Sequence, residues 1–596
     1  MRFRIVCATS LLCLATVSCV SAPPVARRTP IVLTQDRVQD IRAMIGKGAF
    51  LEALQETAYH ERTGAAGTSA ADIAALRSEA VSAAYAAFSA AVAAGKLPEA
   101  WSLYNSLACI GETDRLADWS RTKLLDALVK SFEAANQKSL ALLLAFHALS
   151  EPDAGEAQCL EVLSKAESLS DRGIGRRVIE IMRKKGISVP PEADAFFSEN
   201  AGFEKMLSGT VTIWVDKGIK IEKGMGYPER VIGSGFFVDA AGYLLTNYHV
   251  IQSEVDPKYE GFSRLYLRLS GTTGDRIPAK VVGYDPVLDL ALIKAEMVPG
   301  YVFSGAGAVP VLPGDKIFAI GSPVGLEKTL TSGIVSALDR RFLELGDAIQ
   351  VDVPVNPGNS GGPLLTEKGE LKGIVFAGLE QYEGINFAVS YTWIEKVLPR
   401  LYLGGKVNYG WMGTALTETD GGLEILYTVP GEPAEKAGLA EGDVVEAVGG
   451  IKVLTLRDIQ SAFMDFTAPS LLKITVKRGD KRMEVLLCLS PRPDQPVEAC
   501  LERDSRDDVI YPLFGMKLDR MSGGPGDAEY VIRRVIRGSV ADESGFSVDD
   551  PVSIKGWVVD REKNYALLQL YVKKKKSGFL ESVIQIATYL ATDSFL

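Results

Sequence analysis

The sequence predicts a multidomain chain: an all-α, helical-repeat-like N-terminal region, then a β-rich barrel or sandwich, then two small mixed modules of related design. Three observations predict it. Residues 31–200 are rich in Ala, Leu and Glu and poor in Gly and Pro. From Gly209 to Leu403 short β-branched and aromatic runs alternate with glycines, as in Val211-Thr212-Ile213-Trp214-Val215, the texture of many short strands joined by turns. Beyond that, Gly431-Glu432-Pro433-Ala434 is echoed 107 residues later by Gly538-Ser539-Val540-Ala541. A length of 596 residues agrees with about four domains at roughly 150 residues each.

Composition narrows the function. Hydrophobic content of 47% and a net charge of −10 allow ordinary cores and rule out wholesale disorder. The acidic balance argues against nucleic acid as a partner, since phosphate binding needs a basic face. There are only three histidines, His60, His147 and His249, which nearly excludes chemistry needing several imidazole ligands. Seven cysteines form no CxxC pair, so a structural zinc site is not expected; no other metal and no cofactor is expected either. Cys488 and Cys500 could pair in an oxidising compartment.

The first residues read as an address. Arg2 and Arg4 precede an apolar or small stretch from Ile5 to Val20, followed by Ser21-Ala22-Pro23-Pro24. That is the layout of a secretory signal peptide, residues 1–19, and it is shorter than a spanning helix needs. Thr16-Val17-Ser18-Cys19 resembles a bacterial lipobox with Thr in place of the usual Leu, which implies lipidation of Cys19. Ordinary cleavage nearby is the alternative. Either way the mature chain is exported, to the periplasm or cell envelope of a bacterium, and a lipid on Cys19 would tether it to the membrane.

In the helical region, Leu124, Leu125, Leu128 and Phe132 recur at helical spacing. Gly48-Ala49-Phe50-Leu51-Glu52-Ala53 is echoed by Gly95-Lys96-Leu97-Pro98-Glu99-Ala100, and more weakly by Ala135 to Leu140. Helix, tight turn at a small residue, helix is the sense of the echo. It resembles tetratricopeptide-like helical hairpins, with a longer spacing; a non-repeating bundle is the alternative. Such an array would dock a partner that the sequence does not name.

The chemistry lies in residues 206–403. Thr246-Asn247-Tyr248-His249-Val250 closes a strand, Asp289-Leu290-Ala291-Leu292 begins another, and Gly358-Asn359-Ser360-Gly361-Gly362-Pro363 is a tight loop. A serine hydroxyl becomes a nucleophile when an imidazole takes its proton, and the imidazole needs a carboxylate to fix its tautomer. His249, Asp289 and Ser360 supply these in the order of the chymotrypsin-type triad. Glycines around Ser360 let the chain turn so that Gly358, Asn359 and Ser360 form an oxyanion hole, with the N–H groups of Gly358 and Ser360 converging.

These motifs, with Gly233-Ser234-Gly235-Phe236, Ala319-Ile320-Gly321-Ser322-Pro323 and Thr331-Ser332-Gly333-Ile334-Val335-Ser336, resemble the HtrA/Deg family of trypsin-fold serine proteases over about residues 206–490. The resemblance implies two six-stranded barrels with the triad between them, ATP-independent cleavage of misfolded or regulatory polypeptides, and often a homotrimer. The helical N-terminal part departs from the family pattern. In trypsin-like enzymes an acidic residue six positions before the serine holds a basic substrate side chain; here that position is Pro354, and Asp352 lies too far back for the role. Phe376, Ala377 and Gly378 are expected to form one pocket wall. An uncharged pocket leaves a basic side chain unpaired, so cleavage is expected after small or medium aliphatic residues.

Residues 405–490, with Trp411-Met412-Gly413-Thr414 and Gly431 to Asp443, resemble a PDZ domain, which adds a C-terminal peptide as an extra strand and captures its carboxylate in a backbone loop. Met412, Gly413 and Thr414 are the candidate loop. Residues 505–596 read as a degenerate PDZ-like copy, with Gly515 matching Gly413 and Asp549 standing where the first copy has Gly442. The expected function is therefore an exported serine endopeptidase that also binds peptide C-termini. The alternative is a peptide-binding chaperone or scaffold whose protease site is little used.

Overall fold

The helical hairpins all turn at a residue holding a left-handed backbone. The computed structural model describes residues 36–596 apart from 65–68, 117, 152–153, 200–201, 269–275, 306–309, 323–328, 342, 356–357, 379–383, 523–528, 562, 576–578 and 591; the signal segment and Cys19 lie outside the described residues. Helices α1 (Asp36–Gly46) and α2 (Phe50–Thr63), α3 (Ala70–Ala93) and α4 (Leu97–Cys109), α5 (Arg121–Ala134) and α6 (Lys138–Ala148), α7 (Glu156–Ser168) and α8 (Arg172–Lys185) follow in pairs. Their joints sit at Gly48 (φ 86°), Gly95 (φ 70°), Asn136 (φ 59°) and Ser170 (φ 54°). At each joint the next N–H reaches back across the turn: Ala49 to Met44, Lys96 to Ala91, Gln137 to Phe132 and Asp171 to Ala166. A left-handed residue with this bond satisfies carbonyls that a helix end leaves bare.

The chain divides into two units, one of Met1–Ala83, Trp411–Leu456 and Leu471–Leu596, the other of Ala84–Gly410 and Arg457–Ser470. The helical region expected over 31–200 is thus shared between them. In the second unit α5 buries Leu124, Leu125 and Leu128 while Phe132 is half-buried. Helix α8 starts where Asp171 accepts from Ile174 N at 2.9 Å and ends in Arg183-Lys184-Lys185 before the left-handed Gly186, charges that suit a helix C-terminus. Its apolar face, Ile174, Val178, Ile179 and Met182, is buried. Glu395, on the helix Tyr391–Leu403, bonds both His147 at 3.1 Å and Arg177 at 2.7 Å.

Two barrels follow in the same unit. Strands β1 (Thr210–Glu222), β2 (Met225–Phe237), β3 (Tyr243–Thr246), β4 (Arg264–Arg268), β5 (Ile277–Asp285) and β6 (Leu290–Ala295) run in the order β5-β4-β1-β2-β3-β6, and β5–β6 pairing closes the ring. Strands β7 (Lys316–Gly321), β8 (Thr329–Arg340), β9 (Ala348–Val351), β10 (Pro363–Thr366), β11 (Leu371–Gly378) and β12 (Asn386–Ser390) close a second ring in the order β10-β11-β12-β9-β8-β7. Closure removes the sheet edges. Alternate residues point inward: Ile213, Val215 and Ile293 fill the first barrel, and Ile317, Val351 and Leu364 the second. The short β13 (Gly405–Lys406) adds to β5.

The first unit holds two further sheets. Strands β14 (Gly410–Trp411), β15 (Thr414–Thr419), β16 (Gly422–Thr428), β17 (Val444–Val448), β18 (Ile451–Lys452), β19 (Ser470–Arg478) and β20 (Lys481–Pro491) form the first, with β15 at its edge. Strands β21 (Met516–Ser522), β22 (Glu529–Val535), β23 (Pro551–Asp560), β24 (Tyr565–Lys575) and β25 (Phe579–Tyr589) form an antiparallel meander. Helix α2 lies on β20, and its buried Gln55 accepts from Cys488 N at 2.5 Å and donates to the Pro433 carbonyl at 3.3 Å. His60 on the same helix is buried. Cys488 and Cys500 are both buried free thiols.

The 107-residue echo is one repeated turn. Gly442 N donates to Ile425 O and Asp549 N to Ile532 O, each at 2.8 Å. Asp443 and Asp550 then accept from Ala440 N and Ser547 N, each at 2.9 Å. Asp549 keeps the left-handed backbone (φ 68°) that Gly442 has at φ 86°, a conformation Asp tolerates better than most residues. Among the described residues no helix is long and apolar enough to cross a membrane.

Candidate active site

His249 sits in the first turn of the helix Tyr248–Val255, directly after β3. Asp289 immediately precedes β6, in a left-handed conformation at φ 54°. Strands β3 and β6 are paired, so the two residues meet. One Asp289 oxygen accepts from His249 N at 2.8 Å and the other lies 2.7 Å from His249 Nδ1. The Asp289 carbonyl also takes Asn247 Nδ2 at 2.9 Å and Tyr248 N at 3.2 Å. The carboxylate therefore fixes both the position and the ring orientation of the imidazole, leaving Nε2 as the outward atom. The His249 side chain is 43% exposed and that of Asp289 18%.

The turn that presents Asp289 rests on Asp285. The Asp285 carboxylate accepts from Val287 N at 2.9 Å and Leu288 N at 3.2 Å and is bonded by the Tyr409 hydroxyl. Burial pushes its pKa up to about 6, against the opposing pull of those donors.

Ser360 enters from the loop before β10. Its hydroxyl lies 3.5 Å from the Phe376 carbonyl. Among the described residues no hydrogen bond joins it to His249. The loop is bound to the first barrel. Ser234 N donates to Ser360 O at 2.7 Å, and Ser234 Oγ donates to Gly358 O at 2.6 Å while accepting from Ser322 N at 3.0 Å. Thr246 Oγ1 donates to Ser234 O at 2.7 Å, and Thr212 Oγ1 donates to Ser322 Oγ at 2.7 Å. All of these hydroxyl residues are buried. The glycines follow from this closeness: a Cβ on Gly361 (φ 86°) would lie 2.1 Å from Ser234 O, and one on Gly362 2.1 Å from Ile320 O.

Gly358 holds φ 107°, open only to glycine at no cost. Asn359 is buried, and its Nδ2 donates to the Pro354 carbonyl at 3.2 Å. Pro354 itself is exposed. Phe376, Ala377 and Gly378 follow one another at the end of β11, opposite Phe387 and Asn386 of β12. Phe376 is buried beside Phe387, with ring centroids 6.5 Å apart. Asn386, which sequence reasoning did not single out, donates to Val353 O at 2.8 Å, and its Oδ1 would meet a Cβ on Gly378 at 2.4 Å. Asp352 is spent on the backbone of β8, accepting from Ile334 N at 2.6 Å.

In the first unit, Met412 O accepts from Ala434 N and Gly413 O from Val429 N, each at 2.8 Å. The N–H groups of Gly413 and Thr414 point to one oxygen of Leu596, at 2.8 and 2.9 Å. Gly515, the expected counterpart of Gly413, has the same φ within a few degrees (82° and 80°) and likewise accepts at 2.8 Å, from Ile536 N.

Comparison with known proteins agrees with this geometry. Residues 233–374 match a trypsin-like peptidase domain, 410–489 a PDZ domain, and 497–590 a TP0546 family PDZ domain. A Chlamydia trachomatis protein named "Probable periplasmic serine endoprotease DegP-like" is 33% identical over 295 residues, 46% of this chain and 57% of that protein. Its Chlamydia pneumoniae namesake is 33% identical over 340 residues, 54% of this chain and 67% of the relative. A Synechocystis relative named serine protease HhoB is 34% identical over 292 residues, 45% of this chain and 68% of the relative. Among solved structures, an HtrA-type protease AlgW with decapeptide is 25% identical at a TM-score of 0.42, covering 49% of this chain and 97% of that one. The match thus spans little more than half the length of the first of these relatives, and about two thirds of the other two. The chain belongs to the DegP-like family of serine proteases.

Proposed function

We propose that this chain is an exported serine endopeptidase that cleaves misfolded or regulatory polypeptides without ATP. One observation carries the reading: the Asp289 carboxylate grips both the backbone N–H and Nδ1 of His249, which leaves Nε2 as the base. Ser360 Oγ turns from the Phe376 carbonyl toward Nε2, gives it the hydroxyl proton and attacks the scissile carbonyl carbon. The N–H groups of Gly358 and Ser360 stabilise the oxyanion. His249 then passes the proton to the leaving amine, and water repeats the cycle to free Ser360. Pro354, Phe376, Ala377 and Gly378 bring no charge to the pocket, which supports cleavage after small or medium aliphatic residues. The relatives' names favour this reading over that of a scaffold with an idle site.

Within the same reading, 206–403 is the protease, 405–490 a PDZ domain that binds peptide C-termini through Met412, Gly413 and Thr414, 505–596 its degenerate copy, and 31–200 a helical-repeat docking region. Residues 1–19 hold a lipoprotein signal with its modification site, the lipid on Cys19, the first mature residue, holds the protein at the cell envelope, and the enzyme works as a homotrimer. A fluorophosphonate probe should label wild type stoichiometrically at Ser360 and His249→Ala hardly at all. Equal labelling of both would reject the triad. Cys19→Ser should move the protein from the detergent to the aqueous phase; wild type found wholly in the aqueous phase would reject the lipid.

A further inference from the structure

The edge of the first PDZ sheet is not bare. Leu596 N donates to Thr414 O at 2.9 Å, the Leu596 oxygen accepts from Gly413 N and Thr414 N, and Leu416 N donates to Ser594 O at 3.0 Å. Ala415 and Phe595 are antiparallel bridge partners. Residues Ser594 to Leu596 therefore lie along β15 as an added strand, with Leu596 ending at the Met412–Thr414 loop. Both neighbouring side chains are spent. Phe595 is fully buried in a cluster with Trp411, Ala415, Val497 and Cys500, and Leu596 is 2% exposed. Successive strand residues face opposite ways, so the segment is gripped on two faces as well as along its backbone.

The loop is built to receive it. Gly413 holds φ 80°, and a Cβ there would lie 2.3 Å from Glu432 Cβ. Glu432 is itself held by Ser490 at 3.0 Å and by an ion pair with Arg503. In the second module Gly515 N is bonded to Tyr511 O at 2.9 Å, closing the helix Arg506–Phe514. The two glycines match in conformation, but only Gly413 has its N–H available for a ligand.

We propose that Ser594-Phe595-Leu596 is the resident ligand of the first PDZ groove, so that an external peptide C-terminus binds only by displacing it. This rests on the reading of 405–490 as a peptide-binding module, and goes beyond it by naming what occupies the groove. The competing peptide is then one that matches the same chemistry: an aliphatic residue in the place of Leu596, a large apolar residue before it, and an oxygen for the two loop N–H groups. A tethered segment competes at an effective concentration of ~mM, so a tail that binds its groove with a Kd of ~10–100 μM would weaken external binding about 10- to 100-fold.

The test is a titration of the fluorescein-labelled synthetic peptide of residues 589–596, with a free carboxylate, against the full chain carrying Ser360→Ala to prevent cleavage. The same chain lacking residues 594–596 should bind the peptide at least about tenfold more tightly. Equally tight binding to both would overturn the resident tail and leave the peptide-binding module standing. Binding to neither would reject the module reading, and the proposal with it. Because Phe595 is a core residue and its loss could unfold the module, hydrogen exchange of the undeleted chain gives an independent check. The Gly413, Thr414 and Leu416 amides should be protected; exchange at the rate of an open loop would overturn the proposal.

Discussion

Ser234 should matter to catalysis although it touches no substrate. Its hydroxyl joins the Gly358 carbonyl, at 2.6 Å, to the Ser322 amide, at 3.0 Å, in a fully buried setting. Ser234→Ala removes both bonds and leaves Ser322 N with only a 3.4 Å contact to Gly358 O. Each bond contributes about 1 kcal/mol net, and stranding a buried polar group costs about 1–3 kcal/mol, so the loss should be about 2–4 kcal/mol. For a protease part of this size that is a fall in Tm of about 4–15 °C. The Gly358 carbonyl shares its residue with one of the two N–H groups proposed for the oxyanion hole, so its release should lower kcat about 10- to 100-fold with little change in KM. Active sites would be counted with a fluorophosphonate, so that kcat is read per competent molecule. A variant within about 0.5 kcal/mol of wild type and with unchanged kcat would refute the claim that Ser234 holds the nucleophile loop.

Gly361→Ala should be worse, since its Cβ would lie 2.1 Å from Ser234 O and 2.4 Å from Thr246 Oγ1 at a left-handed φ; expression with normal probe labelling would contradict that. Asp289→Asn should keep the fold while lowering kcat by roughly 10³–10⁴, read in steady-state kinetics; a fall under about tenfold would remove Asp289 from the triad. Asp285, raised from 3.8 to about 6 by burial, holds its proton more tightly folded than unfolded, so it adds stability below about pH 4 that is lost as pH rises through about 6. The span is roughly 3 kcal/mol, and Asp285→Asn should flatten that part of the stability–pH curve; an unchanged slope would reject the assignment.

Local chemistry made much of this legible. Gly48 and Gly95 carry a turn signal because few other residues hold a left-handed backbone, and the Gly442/Asp549 exchange stayed readable for the same reason. His249, Asp289 and Ser360 stood out through the short motifs around them. The straps did not. Ser234 and Ser322 lie in motifs that carried the resemblance, but nothing in those motifs, or in Thr212, shows what the hydroxyls bond, and only closure of both barrels brings them together beside the Ser360 loop. Asp285 gave no sign because its role depends on Tyr409, far along the chain. The expected helical block of 31–200 was compositionally uniform, so nothing in its residues separated α2, whose Gln55 bonds β20, from the helices of the second unit. The occupant of the first PDZ groove was equally hidden: Ser594-Phe595-Leu596 is an unremarkable tripeptide until the chain brings it beside β15.

Ser360, activated by His249 and Asp289, is proposed to cleave polypeptides. Digestion of unfolded casein by purified wild type and Ser360→Ala, with both shown to be folded, tests it most directly. Wild type should degrade casein without ATP, and the variant should be slower by several orders of magnitude. Digestion by Ser360→Ala at close to the wild-type rate would show that Ser360 is not the nucleophile.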